Sequence, residues 1–317
     1  MDPRFRGMTE WVAFRDFVFY KRTALPVSCA VRREIISHQQ SKLAGMRVPV
    51  LTYHANNIAG NDYTGNDHVA LAADLRLIDD LGLRVVPLQR VVDRLLGRTG
   101  DDLSGAVALT CDDGTDLDWR DVDWPGHGMQ RSFANILRDF RDVRGIDAQP
   151  DLHLTSFLIA DPDARARMDR ECIFGQDWMR EDWWRPAETS GLLGFGHHSW
   201  DHNHPCLPSP GPHGLVRGEF LAVADDDKAE FEIARAQDYL AARLASPPRV
   251  FCYPFGHIPP FLHDDWLPRR GVQIGLEAAV GDGAQPVTMD SDRWNLPRYI
   301  CGWHWKTPHE LRAILEA

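Results

Sequence analysis

The chain has 317 residues, 44% of them apolar and 26% charged, and a formal net charge of −11. That apolar share supports a sizeable core and excludes extensive disorder. The acidic balance excludes nonspecific attraction to nucleic acid or anionic lipid and suits a neutral or cationic substrate.

Residues 1–45 carry mixed charge without a clear period and read as an N-terminal extension. Its apolar run Trp11–Tyr20 is broken by Arg15 and Asp16, which makes a poor signal peptide, so the expected compartment is cytoplasmic. From Met46 onward residues 46–317 read as one domain. A strand is expected over 48–53 and a helix over Val69–Gly82, with apolar positions at 71, 75, 78 and 81. The strand Arg84–Val86 and a helix over Leu88–Leu96 follow. Ala106–Cys111 is a continuous apolar strand, expected to be buried on both faces, that stops at the turn sequence Asp112-Asp113-Gly114. Next come a helix near 130–143, a strand over 152–159, a charged, Trp-rich stretch over 161–190 and the segment 194–205. A helix near 226–244, a strand over 250–253 and a closing strand near 296–300 complete the pattern. Strands alternating with helices predict a parallel α/β barrel or doubly wound sheet, with chemistry at the C-terminal ends of strands. No stretch approaches the roughly 20 uninterrupted apolar residues of a membrane span. The six cysteines, at 29, 111, 172, 206, 252 and 301, form no C-x-x-C pair and read as reduced or incidental.

Two patterns carry chemistry. His198-Ser199-Trp200-Asp201-His202 places two imidazoles four residues apart. On one helical turn they share a face about 6 Å apart and can share an ion; on an extended strand they lie roughly 13 Å apart and cannot. Taken alone, they read as two ordinary surface histidines. Asp112-Asp113 supplies two carboxylates at a strand's end, and taken alone it reads as a turn. Together, two imidazoles and one carboxylate leave coordination positions open, as hydrolytic metals require. The neighbouring carboxylate is then free to serve as general base.

Thr110-Cys111-Asp112-Asp113-Gly114 resembles the T-F-D-D-G motif of the NodB-homology polysaccharide deacetylases, carbohydrate esterase family 4, and His198–His202 resembles their H-[ST]-x-x-H motif. The likeness runs in the same order over most of the chain from about residue 46. It implies a distorted (β/α) barrel and a metal-dependent hydrolase that removes N-acetyl groups from N-acetylglucosamine-containing poly- or oligosaccharide. Asp112 then matches the catalytic base, and Asp113, His198 and His202 match the metal ligands. Zinc is the default ion by availability, and cobalt, nickel or iron suit the same donors.

Tyr253-Pro254-Phe255-Gly256 resembles the family's R-P-P-Y-G loop, which gives the backbone N–H of Phe255 the role of oxyanion donor and places Tyr253 on the substrate side. Where that loop has Arg, this chain has Cys252. Leu296-Pro297-Arg298 resembles the L-P-R segment of the circularly permuted poly-N-acetylglucosamine deacetylase branch and makes Arg298 the partner of Asp112. Leu51-Thr52-Tyr53-His54 resembles the Y-H segment opening those proteins and makes His54 the candidate general acid, with His304 as rival. Trp294 matches loosely the tryptophan of an acetyl-methyl pocket, and Asp290 or Asp292 is a candidate partner for the acid histidine. Trp119, Trp124, Trp178, Trp183 and Trp184 serve either packing or sugar stacking. The expected partner is thus a carbohydrate, with no nucleic acid and no membrane span; the sequence carries no signature of oligomeric state. Cys111 and Cys252 motivate the alternative of a noncatalytic carbohydrate-binding protein on a decayed deacetylase scaffold. A third reading is a metal-dependent hydrolase of a nonsugar C–N bond.

Overall fold

The computed structural model describes residues 46–317. The extension expected over 1–45, with its Trp11–Tyr20 run, lies outside the described residues. The chain enters through β1 (Arg47–Val48) and β2 (Val50–His54), then α1 (Asp67–Asp80), β3 (Arg84–Val85), α2 (Leu88–Leu95) and β4 (Ala106–Asp112). A hairpin of β5 (Val122–Trp124) and β6 (Gly128–Gln130) precedes α3 (Phe133–Arg144), β7 (Leu154–Leu158), α4 (Pro162–Cys172), α5 (Trp184–Thr189) and β8 (Leu193–His197). Helical segments α6 (Asp226–Ala229) and α7 (Arg235–Ala241) flank a π turn at Glu230–Ala234. They lead to β9 (Val250–Cys252), a π-helical stretch Leu262–Gly271, β10 (Ala278–Val280), β11 (Val287–Thr288), β12 (Tyr299–Ile300) and α8 (Pro308–Glu316).

The principal sheet has the order β10-β9-β8-β7-β4-β2-β12, with β3 also paired to β4, and every ladder in it is parallel. Segment 296–300 touches both ends of it: Leu296 bridges Val280, and Tyr299 and Ile300 pair with Leu51 and Thr52. The result is the distorted barrel expected from the sequence. All seven residues of β4 are buried, as its apolar run requires of a central parallel strand. α1 lays Leu71, Leu75 and Ile78 on the core and is capped by Asn66, whose side chain accepts the His68 and Val69 N–H groups. Among the described residues no helix is long and apolar enough to cross a membrane.

Some expected elements shift. The helix expected from about 130 starts at Phe133 because Gln130 is held in the hairpin and Ser132 caps the helix. The Trp-rich stretch contains two helices, and it presses Trp183 and Trp184 fully into the core. Trp124 is also buried and stacks on Trp178 at 5.5 Å, while Trp119 and Trp178 pack half-buried against the same cluster. Packing, not sugar stacking, occupies these rings. The last helix, α8, was not anticipated, although Thr307 caps it and Pro308 opens it.

Candidate active site

The site forms where β2, β4, β8 and β9 end. β4 finishes at Asp112, and the chain turns through Asp113 (φ 78°) and Gly114 (φ 66°). A Cβ on Gly114 would stand 2.5 Å from Leu158 Cδ2 and 3.1 Å from Leu158 Cα, so glycine lets the turn pack on β7. Beyond β8, Ser199, His202 and Asn203 all have positive φ (67°, 62° and 46°). His198 and His202 therefore do not share a helical turn, as the four-residue spacing suggests; a folded-back loop brings their ring centroids to 4.7 Å. Tertiary bonds impose this costly backbone. Ser199 Oγ accepts the His202 N–H at 2.9 Å, Asn203 Nδ2 donates to the carbonyls of Val216 (2.6 Å) and Glu219 (3.0 Å), and Arg217 Nη1 holds both oxygens of buried Asp201 (2.9 and 2.8 Å).

The loop aims His198 Nε2 and His202 Nε2 at Asp113 Oδ1, at 3.7 and 3.9 Å. A tetrahedral zinc with bonds of about 2 Å has edges of about 3.3 Å, so a small inward movement completes three ligands. His198 Nδ1 lies 3.0 Å from the Cys252 carbonyl; as donor there, the ring keeps its Nε2 lone pair for a metal. Burial pushes the pKa of both histidines down, opposed at His198 by Asp112 and Asp113, a direction that favours the neutral ring that ligation requires. Donor type, spacing and protonation all suit a divalent cation.

Asp112, 5% exposed, faces a different partner. Arg298 donates Nη1 to its Oδ1 (2.8 Å) and Nη2 to its Oδ2 (3.0 Å), while Arg298 Nε donates to the Gly281 carbonyl (2.9 Å). Burial resists ionisation of Asp112, yet Arg298, with help from His198 and His54, outweighs it and holds the carboxyl well below its usual range. Cys252 Sγ lies 3.1 Å from Arg298 Nη2 and 3.5 Å from Asp112 Oδ2. The cation thus arrives from the end of the chain, over the small thiol that replaces the loop arginine.

His54, in register with Asp112 across the β2–β4 ladder, puts Nε2 3.9 Å from Asp112 Oδ2, and its side chain is about a third exposed (32%). His304 does not join it: its Nδ1 accepts the Ile300 N–H at 2.8 Å within a tight turn. Asp292 is engaged by His263 Nε2 (2.6 Å) and Asp290 stays in an exposed turn, so neither serves His54. Phe255 (φ 59°) lines the cleft, its ring edge-on to His202 at 4.4 Å, in a short 3-10 turn whose first N–H groups lack intrahelical acceptors. Tyr253 and Trp294 differ from their expected substrate-side placement. Both are buried in one core cluster with Phe251, Leu262 and Trp266, and Tyr253 Oη donates to the Trp294 carbonyl at 2.9 Å, which ties the two residues to each other inside the core.

The cleft holds about 530 Å³. Its lining combines the apolar side chains of Ile159, Met168, Ile173 and Met179 with His54, Asp282, Arg298 and Trp303. The sequence reading missed Trp303, which is 80% exposed on the lip. Its signal was the Gly302-Trp303-His304-Trp305 turn, whose second tryptophan is buried while the first is not.

The sequence model described as polysaccharide deacetylase matches residues 100–265. No curated protein sequence matches the chain. Among solved structures, IcaB from Ammonifex degensii is 20% identical with a TM-score of 0.58, over 86% of this chain and 98% of that one. The Streptococcus pyogenes deacetylase PplD, in complex with acetate, is 16% identical with a TM-score of 0.57, over 86% of this chain and 100% of that one. The BpsB deacetylase domain from Bordetella bronchiseptica is 14% identical with a TM-score of 0.55, over 81% and 96%. These likenesses speak for the fold; the family match spans just over half of the chain and includes Asp112, Asp113, His198, His202 and Phe255. By motif, fold and family match, the chain belongs to the polysaccharide deacetylase family.

Proposed function

We propose that this deacetylase hydrolyses N-acetyl groups of N-acetylglucosamine-containing poly- or oligosaccharide with a divalent cation, zinc by default, held by Asp113, His198 and His202. The observation that carries this reading is the juxtaposition at one cleft end of a carboxylate held by a bidentate arginine and a convergent two-imidazole, one-carboxylate cluster. When bound, such a cation supplies Lewis-acid polarisation and lowers the pKa of water. The remaining steps belong to the chain. Asp112, anionic and oriented by Arg298, accepts the proton of the attacking water. The Phe255 N–H, in the short turn that lines the cleft, donates to the oxygen that gains charge at the tetrahedral stage. His54, beside Asp112 and open to the cleft, protonates the departing amine. Trp303 offers an exposed aromatic face for a pyranose ring.

The departures that favoured a decayed scaffold lose force. Arg298 stands where the loop arginine's charge is needed, and Cys111 lies buried beneath the site, its thiol donating to Asp118 at 3.4 Å. The test is acetate release from N-acetylated glucosamine oligomers, with and without chelator. Chelator-sensitive release is expected; no metal content and no release would instead favour a carbohydrate-binding module.

A further inference from the structure

Beyond the cluster just described, a second group of soft donors borders the same cleft. Cys172 is the last residue of α4, while His204 and Cys206 follow His202 on the loop after β8. One donor atom from each of the three lies within 4.8 Å of the others, and both cysteines are free thiols. His204 Nδ1 accepts the Cys206 N–H at 3.2 Å, which ties the imidazole to the backbone of the neighbouring donor. Coordination by either ring nitrogen exchanges that hydrogen bond for a metal bond.

The chemistry selects the ion. Two thiolates and one imidazole suit zinc, which binds sulfur at about 2.3 Å and so asks for sulfur–sulfur edges of about 3.8 Å. Cys172 is exposed at a helix end and its side chain already interacts with that of Cys206, so the two sulfurs stand close together before any ion binds. Cys172 and His204 both line the cleft, so the group is open to an ion from solvent.

We propose that Cys172, His204 and Cys206 form a second, thiolate-rich metal site that takes a zinc-class cation. It braces the loop carrying His202 against α4. The His204 ring lies 5.9 Å from the His202 ring, so this brace holds the short stretch of backbone that presents one of the hydrolytic ligands. The site goes beyond the deacetylase reading and does not rest on it.

The test uses the full chain, kept in a phosphine reductant, loaded with zinc or cobalt, freed of excess ion and assayed for metal. Two ions per chain are expected for wild type, and one each for Cys172→Ser/Cys206→Ser and for Asp113→Asn. Cobalt-loaded wild type and Asp113→Asn should show a thiolate-to-cobalt charge-transfer band in the near ultraviolet, and the double serine variant should not. Cys172→Ser alone changes an exposed side chain, should leave the circular dichroism unchanged, and should lose the second ion. One ion per chain, removed by Asp113→Asn and without a thiolate band, overturns the second site while leaving the deacetylase reading intact. A Cys172–Cys206 disulfide that persists in reductant, seen by mass, overturns it as well.

Discussion

Asp112 and Asp113 are adjacent in the chain and opposite in circumstance. Asp112 ends a fully buried strand and spends its charge on a bidentate arginine; Asp113, one residue on with positive φ and a side chain 20% exposed, faces two neutral imidazole nitrogens. The pleat of a strand already sends neighbouring side chains to opposite faces, and the left-handed turn at Asp113 completes the divergence. One carboxylate is thereby prepared to take a proton and the other to share a cation.

The largest expected effect comes from neutralising either one. Asp112→Asn should cut turnover by about 10²–10⁴-fold while metal content stays near wild type. Asp113→Asn should lose activity together with the metal of that cluster; equal metal loss in both variants would erase the distinction.

Removing the arginine attacks Asp112 from the other side. Arg298→Leu leaves a buried carboxylate unpaired, and denaturant unfolding should show a loss of about 3–5 kcal/mol. A change within about 0.5 kcal/mol would mean that Cys252 and solvent satisfy Asp112 unaided.

A smaller effect separates the two candidate acids. His54→Gln should lower kcat by about 10²-fold with little change in KM, whereas His304→Gln should leave kcat within a few-fold. The reverse ranking would assign the acid's role to His304.

A pH-dependent effect lies beneath the pair. Burial pushes the carboxyl of Asp118 up to about 8, despite hydrogen bonds from Ser156 and Cys111. A carboxyl whose pKa is higher folded than unfolded keeps its proton in the fold and releases it on unfolding. Its contribution to stability therefore falls as pH rises from about 4 toward about 8, by at most about 1.4 kcal/mol per pH unit. Asp118→Asn should flatten that slope in urea unfolding measured from pH 5 to 8. An unchanged slope would show that Asp118 titrates in its ordinary range.

Much of this site was legible because its signals are local. Asp112 and Asp113 close an apolar strand, His198 and His202 sit in one short motif, and Leu296-Pro297-Arg298 and Tyr53-His54 are motifs of their own. The manner of assembly was less legible. The spacing of the two histidines suggested a helical turn, yet the chain builds a loop with three left-handed residues, and the groups that enforce it (Arg217, Val216, Glu219) lie well downstream. Resemblance to family motifs put Tyr253 and Trp294 on the substrate side, whereas packing against Phe251, Leu262 and Trp266 and the Tyr253–Trp294 hydrogen bond hold both in the core.

By itself, the sequence determined the alternating parallel architecture and the inventory of carboxylates, imidazoles and arginine, since periodicity and motif spacing depend only on near neighbours. Tertiary structure decided which of two histidines meets Asp112, which tryptophans reach the cleft, and that Cys172 comes within reach of His204 and Cys206. Those outcomes depend on side-chain direction at strand ends, where partners distant in the chain hold the backbone in place.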